Sequence, residues 1–322
     1  MYLKEGGLVR FFVIGGSGFI GSAVCRQLQE RGHELVGLAR SDASVAKLAA
    51  IGIQPLRGAL GDIEVLGEAA RAADGIVQIS TGGNLGNAAK NAEAALSSSD
   101  TLLKAIAGTD KPYIYTCGTG LWSDTGTIDP ERVVTEDDPE TVPYFYTHIG
   151  EIYRRMLAAA EHSRAIVIHP AMVYGRTGGP IGPITRMFDG VRKHGVVFVA
   201  PEDNAYTYVH VDDLADLYVR VLENSNARGS YFAAADDTVT TVDVAKAVSV
   251  AVGQSGDVVA VDHVALRRLN GRASEMDFWL NCRASGNKAR AELGWTPAHP
   301  SVVADLCALP QPLDPNLVYP GR

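Results

Sequence analysis

The stretch FFVIGGSGFIGSAVCRQL, residues 11–28, decides the fold. It begins with a short apolar run typical of a β-strand and ends with an amphipathic segment typical of a helix. Between them, Gly15, Gly18 and Gly21 recur at every third position. Glycines in such a turn let the backbone approach a pyrophosphate closely, and the following helix N-terminus offers free amides to it. The stretch therefore predicts a dinucleotide-binding turn, the alternative being a glycine turn without a ligand.

The first half of the chain alternates apolar runs with amphipathic segments. The runs predict strands at 9–14, 34–39, 52–56, 75–80, 112–116 and 165–170. The segments between them predict helices at 19–31, 43–50, 64–73, 88–107 and 148–162. The runs do not alternate with polar residues, which is typical of strands buried on both faces. We therefore predict an α/β fold, a doubly wound parallel sheet with helices on both sides.

The alternation ends after Pro170. The stretch GRTGGPIGP, residues 175–183, predicts a loop by its glycine and proline content. We assign a dinucleotide-binding domain to 8–174 and a smaller C-terminal α/β substrate lobe mainly to 175–322. Within the second part, about 206–235 is expected to return to the first domain.

The composition narrows the functional classes. The 322 residues are 46% hydrophobic and 20% charged, with a net charge of −8, so no basic patch suggests nucleic acid. No apolar run reaches membrane-spanning length, and the N-terminus lacks the pattern of a secretory signal. The four cysteines form no CxxC pair, which favours a reducing compartment and argues against zinc. We expect a cytoplasmic protein with a small-molecule substrate and without a metal, nucleic-acid or membrane partner; a homodimer stays open.

The second predicted strand indicates which dinucleotide binds. Ala39 stands where an NAD site usually places an acid for the ribose hydroxyls, and Arg40 and Ser41 follow it. A guanidinium and a hydroxyl suit a 2′-phosphate, so NADP(H) is favoured over NAD, the alternative being a solvated surface arginine. In GDIE, residues 61–64, Asp62 is expected to meet the adenine, to cap the next helix, or to do both.

At this point the sequence resembles the short-chain dehydrogenase/reductase superfamily, in its extended or atypical, epimerase-like branch. The resemblance covers nearly the whole chain and rests on five motifs in the order of that family. These are GGSGFIG (15–21), GD (61–62), HPAMVYG (169–175), YVHVDDLA (208–215) and ELGWTP (292–297). It implies a Rossmann domain with a C-terminal substrate lobe, and hydride transfer at C4 of a nicotinamide.

The resemblance also implies a set of cofactor contacts around the ends of the predicted strands. The candidates are Gly15, Ser17, Gly18, Phe19, Ile20, Arg40, Ser41, Asp62, Ile63, Ser80, Thr81, Pro170 and Val173.

The family's catalytic pair is a tyrosine and a lysine four residues later on one helix, with a serine or threonine after the fifth strand. The lysine lowers the tyrosine pKa and holds the nicotinamide ribose. Here the matching segment, PYFYTHIGE (143–151), has no lysine. In one register Tyr144 and His148 take the two positions, with Thr119 as the hydroxyl. In the other register, set by the GE at 150–151, no pair exists, as in some atypical members.

Met172 bears on the substrate. Nucleotide-sugar members often carry asparagine at this position, two residues before YG, so its absence favours a small, partly hydrophobic carbonyl or related unsaturated compound. We therefore expect an NADP(H)-dependent oxidoreductase in which Tyr144, Thr119 and His148 are catalytic. The alternatives are a nucleotide-sugar epimerase or dehydratase and a catalytically silent NADP-binding sensor.

Overall fold

The structure is a computed structural model. It describes residues 9–80, 88–123, 129, 131–143, 147–176, 183–199, 204–235, 238–270 and 281–314. Three residues that concern the site, Tyr144, Tyr146 and Thr81, lie outside the described residues. The stretch 295–309 is described in full.

A seven-stranded parallel sheet forms the centre of the protein. Its strands are β1 (Arg10–Ile14), β2 (Glu34–Ala39), β3 (Gln54–Arg57), β4 (Gly75–Gln78), β5 (Tyr113–Thr116), β7 (Ala165–Pro170) and β11 (Gly229–Ala233). The spatial order is β11-β7-β5-β4-β1-β2-β3. The order reverses between β1 and β4, and ligands of such sheets bind in the crevice at that reversal, outside the carboxyl ends of the strands.

The short strands form three further sheets. They are β6 (Val133–Val134), β8 (Met172–Tyr174), β9 (Val197–Val199), β10 (Ala205–His210), β12 (Thr238–Thr240), β13 (Val258–Ala260) and β14 (Arg283–Ala284). β10 pairs with β8 and β12, β9 with β13, and β6 with β14.

Eleven labelled helices cover these sheets within the described part of the chain. Five belong to the first half: α1 (Phe19–Glu30), α2 (Asp42–Ala50), α3 (Ile63–Ala72), α4 (Ala88–Ile106) and α5 (Thr147–Ala160). The others are α6 (Pro183–His194), α7 (Val211–Glu223), α8 (Thr241–Ala251), α9 (His263–Asn270), α10 (Asn287–Leu293) and α11 (Val302–Ala308). A short 3-10 helix, Thr119–Trp122, follows β5.

The predicted doubly wound α/β fold is confirmed. Each of the six strands and five helices expected in the first half is present, and no boundary differs by more than two residues. The strands are apolar because both faces are covered: all residues of β4, β5 and β7 are buried. The chain also returns to this sheet, since β11 pairs in parallel with β7. A second apolar core lies between α6, α8, α11 and β9, around Phe188 and Val248.

A buried histidine joins the two elements that carry the candidate catalytic residues. His169, on β7, makes edge-to-face contacts with Trp122 of the 3-10 helix and with Tyr153 of α5. The ring centroids lie 4.8 and 5.0 Å away. Phe232 of β11 completes the cluster. Such aromatic pairs contribute about 0.5–1.5 kcal/mol each beyond burial, so the cluster fixes the 3-10 helix against α5.

His169 is neutral in this cluster. Burial lowers its pKa to about 3, because a charged imidazolium would lose its hydration, and the backbone of Gly118 and Cys117 opposes this only in part. Neither ring nitrogen makes a hydrogen bond of good geometry with the described residues. The folded state therefore binds fewer protons here than the unfolded state, whose histidine titrates near 6.5.

This difference predicts a loss of stability in mild acid. A lowered folded-state pKa means that the contribution of His169 is complete above pH 6.5 and decreases as the pH falls towards 3. At pH 5 the loss should reach about 2 kcal/mol of unfolding free energy, from 1.36 kcal/mol per pH unit. The unfolding free energy of His169→Phe, measured by urea unfolding, should therefore decrease less between pH 8 and pH 5 than that of the wild type. The difference between the two decreases should equal that amount.

The matched control is His162→Gln, since the side chain of His162 is 85% exposed. Its stability should follow the wild-type pH dependence. Parallel curves for His169→Phe and the wild type would show that His169 keeps an ordinary pKa.

Candidate dinucleotide-binding and active site

The glycine turn after β1 has the geometry that close helix packing requires. Gly15 has φ +95°, a left-handed conformation that favours glycine. A Cβ atom on Gly21 would lie 2.0 Å from the Gly15 carbonyl oxygen, so α1 can meet the turn only through a residue without a side chain. The amide of Gly18 closes the turn by donating to the Gly15 carbonyl oxygen at 3.0 Å.

The turn leaves a cradle at the N-terminus of α1. Gly18 is exposed, and a Cβ there would meet only the Gly15 carbonyl oxygen, at 3.2 Å. No side chain caps the first turn of this 12-residue helix. Ser17, Phe19 and Ile20 are half-buried around it. Free amides, a helix dipole and room for close approach fit a pyrophosphate.

Arg40 stands at the carboxyl end of β2. Ala39 beside it is fully buried, whereas Arg40 is exposed and makes no hydrogen bond or ion pair with the described residues. Ser41 caps α2, since its hydroxyl accepts from the Ser44 amide at 3.2 Å. The helix therefore begins directly at the expected ribose position and leaves the guanidinium available to an anion.

Asp62 has a different local role from the cap expected of it. It precedes α3 at the N-cap position, but its side chain makes no cap hydrogen bond there. The carboxylate instead accepts from the Ala59 amide at 2.8 Å and closes the loop before the helix. Asp62 is exposed and Ile63 half-buried at this edge of the sheet, so both stay candidates for contact with the adenine.

The remaining cofactor candidates lie at the ends of β4, β7 and β8. Ser80 follows β4, and its amide donates to the Ile14 carbonyl at 3.2 Å, which holds it against the glycine turn. Pro170 is buried at the end of β7, and Val173 is half-buried on β8. Ser80 and Pro170 share one edge because the parallel strands β4 and β7 end together, and Val173 follows Pro170 by three residues.

Thr119 begins the 3-10 helix at the same edge. The residue is 6% exposed, and its hydroxyl makes no hydrogen bond with the described residues. Thr116, three residues earlier, is committed to structure instead. Its hydroxyl donates to the Gln78 carbonyl at 2.8 Å and contacts the Tyr218 hydroxyl at 2.5 Å. Of these two threonines, Thr119 is the one with a hydroxyl available to a substrate oxygen.

His148 lies in the first turn of α5, and α5 begins at the same edge because a crossover helix runs antiparallel to its strands. It is half-buried and makes no hydrogen bond with the described residues. Burial lowers its pKa below the usual 6.5, so it is mainly neutral at pH 7. The helix begins at Thr147, and Tyr144 lies outside the described residues, so its pairing with His148 stays a prediction.

The segment that leads into Tyr144 is fastened to the 3-10 helix. The Leu121 carbonyl accepts from the Thr141 and Val142 amides at 2.9 and 2.8 Å. Val142 has φ +42°, an uncommon value for a β-branched residue, and packs against Gly150 of α5. This clamp brings the Thr119 element and the start of α5 together. The sequence analysis missed it, because backbone contacts over twenty residues leave no residue pattern.

The motif around α7 is structural. His210 caps the helix, its Nδ1 accepting from the Asp212 amide at 3.2 Å, so the cap is the histidine and not either aspartate. Asp213 accepts from the backbone amides of Ala298 and His299, both at 2.9 Å, and so anchors the C-terminal segment. Tyr174 is buried and donates to Asp305 at 2.6 Å, which assigns it to the core.

Two kinds of feature are absent from the described residues. None of their histidine, cysteine, aspartate and glutamate side chains form a group of three that could hold a metal ion. None of their helices combines the length and apolar character needed to cross a membrane.

The chain is similar in sequence to proteins of other organisms. It is 29% identical over 319 residues to the uncharacterized protein YLL056C of Saccharomyces cerevisiae, covering 93% of this chain and 98% of the relative. It is 25% identical over 214 residues to a 2-alkyl-3-oxoalkanoate reductase of Stenotrophomonas maltophilia, covering 64% of this chain and 63% of the relative.

Solved structures share the fold. Human epimerase family protein SDR39U1, solved with NADPH, superposes with a TM-score of 0.71 at 21% identity, covering 94% of this chain and 100% of that one. The dTDP-glucose 4,6-dehydratase of Bacillus anthracis, solved with NAD, gives a TM-score of 0.74 at 16% identity, covering 93% and 95%.

The model of the NAD dependent epimerase/dehydratase family matches residues 11–234, from β1 to the end of the large sheet. That span contains the glycine turn, Arg40, the Thr119 helix and α5, which are the parts from which the site is built. A nicotinamide dinucleotide fits this cradle, and the chain belongs to the NAD dependent epimerase/dehydratase family.

Proposed function

We propose that the protein is an NADP(H)-dependent oxidoreductase that transfers a hydride to or from a small, partly hydrophobic carbonyl or related unsaturated compound. The observation that carries the proposal is the guanidinium of Arg40, which has no partner among the described residues and lies beside the buried Ala39, at the edge where the glycine turn opens. An acid at position 39 would grip a ribose diol, whereas an arginine next to alanine suits a 2′-phosphate.

The residues divide the work as follows. Gly15, Gly18 and Gly21 allow the backbone to receive the pyrophosphate, and Arg40 binds the phosphate on the adenosine ribose. The bound nicotinamide supplies or accepts the hydride. Thr119 and Tyr144 bind the substrate oxygen, and the Tyr144 hydroxyl gives or takes its proton. His148 takes the place of the family lysine and, when charged, lowers the pKa of Tyr144.

The substrate class rests on the site's apolar wall. Met172 and Val173 of β8 are half-buried and follow directly on Pro170 and Ala171. A thioether offers a flexible apolar surface in place of the hydrogen-bonding asparagine expected for a nucleotide sugar. The reductase relative from Stenotrophomonas maltophilia is named for an oxoalkanoate, a carbonyl compound with an apolar chain, which agrees with this choice.

A catalytically silent NADP-binding sensor is the second candidate. The observation that favours it is the first turn of α5, THIG, which contains no lysine. A neutral His148 would support proton transfer poorly at pH 7. NADPH oxidation with a panel of ketones, aldehydes and enones, run beside an NADPH binding titration, separates the two. NADPH binding without turnover at any pH from 5.5 to 8 would favour the sensor. Epimerase or dehydratase activity on a nucleotide sugar would favour the remaining alternative, a nucleotide-sugar epimerase or dehydratase.

The cofactor preference gives one prediction. Arg40→Ala should weaken NADPH binding by about 1–3 kcal/mol, the range for a hydrogen bond to a charged group. It should leave NADH binding nearly unchanged, because NADH lacks the 2′-phosphate. Dissociation constants from fluorescence titration check both values.

Lys47→Ala is the control for general charge, since Lys47 is an exposed cation in the last turn of α2. It should change neither constant. Equal weakening of NADPH and NADH in Arg40→Ala would refute the phosphate role of the arginine.

The catalytic assignment gives another prediction. Tyr144→Phe should remove most turnover and keep NADPH binding. Because burial lowers the His148 pKa, imidazolium accumulates only below pH 6.5, so reductive turnover should rise as the pH falls from 7 towards 5.5. His148→Lys should stay active and move the optimum to higher pH, because lysine stays charged up to about pH 10.

The control is Tyr146→Phe, which changes a neighbouring tyrosine in the same segment. It should keep turnover if the Tyr144 register is right. Loss of turnover in Tyr146→Phe but not in Tyr144→Phe would identify Tyr146 as the proton donor.

A further inference from the structure

The end of β3 places a second arginine beside the ribose position. β2 and β3 pair in parallel, and the register sets Ala39 opposite Arg57. The Gly58 amide then donates to the Ala39 carbonyl at 3.1 Å, which holds the register at the very end of the strands. Paired residues of neighbouring strands lie about 4.8 Å apart and point to the same face of the sheet. Arg57 therefore extends from the face on which an acid at position 39 would meet the ribose.

The partner of Arg57 is weakly held. Its guanidinium pairs with Asp42, the first residue of α2. The two side chains are 56% and 94% exposed. Ion pairs exposed to this degree contribute between nothing and about 1 kcal/mol, because water screens both charges. A phosphate with a charge of nearly −2 at neutral pH, three acceptor oxygens and a second cation nearby can therefore displace the carboxylate.

We propose that Arg57 is a second cation for the 2′-phosphate and that Asp42 is its counter-ion in the absence of cofactor. The inference rests on the proposed preference for NADP(H) and adds two residues to it. Arg40 approaches from the end of β2, and Arg57 from the end of β3. Asp42, next to Ser41, opposes the phosphate by like charge and so limits its affinity.

The test uses pairs of ligands that differ only in the 2′-phosphate. Dissociation constants are measured by calorimetry for NADPH against NADH, and for 2′,5′-ADP against 5′-AMP. The variants are Arg57→Gln and Asp42→Asn. The controls are Arg10→Gln and Glu34→Gln, which break another exposed arginine–carboxylate pair, 49% and 47% exposed, at the amino ends of β1 and β2. Thermal unfolding of each variant verifies that it is folded.

Arg57→Gln should raise the dissociation constants of NADPH and 2′,5′-ADP about tenfold, because one charge-assisted contact is lost. The dissociation constants of NADH and 5′-AMP should stay within about twofold of the wild-type values. Asp42→Asn should increase the affinity for NADPH about three- to fivefold and leave the affinity for NADH unchanged. The increase should be smaller in high salt, because salt screens the repulsion between Asp42 and the phosphate. Both control variants should match the wild type.

The outcomes separate this inference from the cofactor proposal. If Arg40→Ala weakens NADPH selectively but Arg57→Gln does not, the second cation is refuted and the NADP(H) preference stands. If Arg57→Gln weakens both dinucleotides equally, Arg57 acts through the fold and the inference fails. If the wild type binds NADH as tightly as NADPH, both proposals fail together.

Discussion

The Gly15 carbonyl oxygen and the Gly21 backbone meet with no space for a side chain between them. A Cβ on Gly21 would lie 2.0 Å from that oxygen, and a Cβ on Gly15 would lie 2.8 Å from the Ser80 amide nitrogen. Two neighbouring strands and α1 therefore converge on one turn, at the reversal of strand order. This contact places the first amides of α1 at the crevice. It thereby fixes where a ligand bound to these amides would lie relative to Arg40, Arg57 and Thr119.

The parts of this arrangement that depend on local pattern could be predicted from the sequence. Apolar runs of four to six residues between amphipathic segments required strands buried on both faces, and the glycine spacing required a turn at 15–21. Ser41 was expected to bind the cofactor, and it also caps α2, since a hydroxyl before a helix satisfies a free amide. Some predicted boundaries differ by one or two residues, because the ends of elements depend on hydrogen bonds that leave no residue pattern.

The parts that depend on pairing between distant residues could not be predicted. The third strand was expected at 52–56, one residue short of Arg57, and no local signal sets Arg57 opposite Ala39. His210 caps α7 although histidine is not a preferred cap, and Asp213 in the first turn holds Ala298 and His299, 85 and 86 residues away. The surroundings of His169 also leave no local signal, since only the fold brings Trp122 and Tyr153 to its two sides.

Charge explains why the adenosine end of the site requires local cations. The chain carries a net charge of −8, so its overall field repels a dinucleotide with several phosphate charges. At physiological salt this field decays over about 8 Å, so groups in contact with the ligand determine the outcome. In the proposed complex the pyrophosphate accepts hydrogen bonds from the free amides of α1, whereas Asp42 and Asp62 place negative charge near the adenosine end. A 2′-phosphate can bind between these carboxylates only if guanidinium groups contact it directly, and the ends of β2 and β3 each supply one. We therefore expect the proposed site to be selective: without a 2′-phosphate, Arg57 keeps Asp42 as its partner, and neither arginine contributes to binding the ribose.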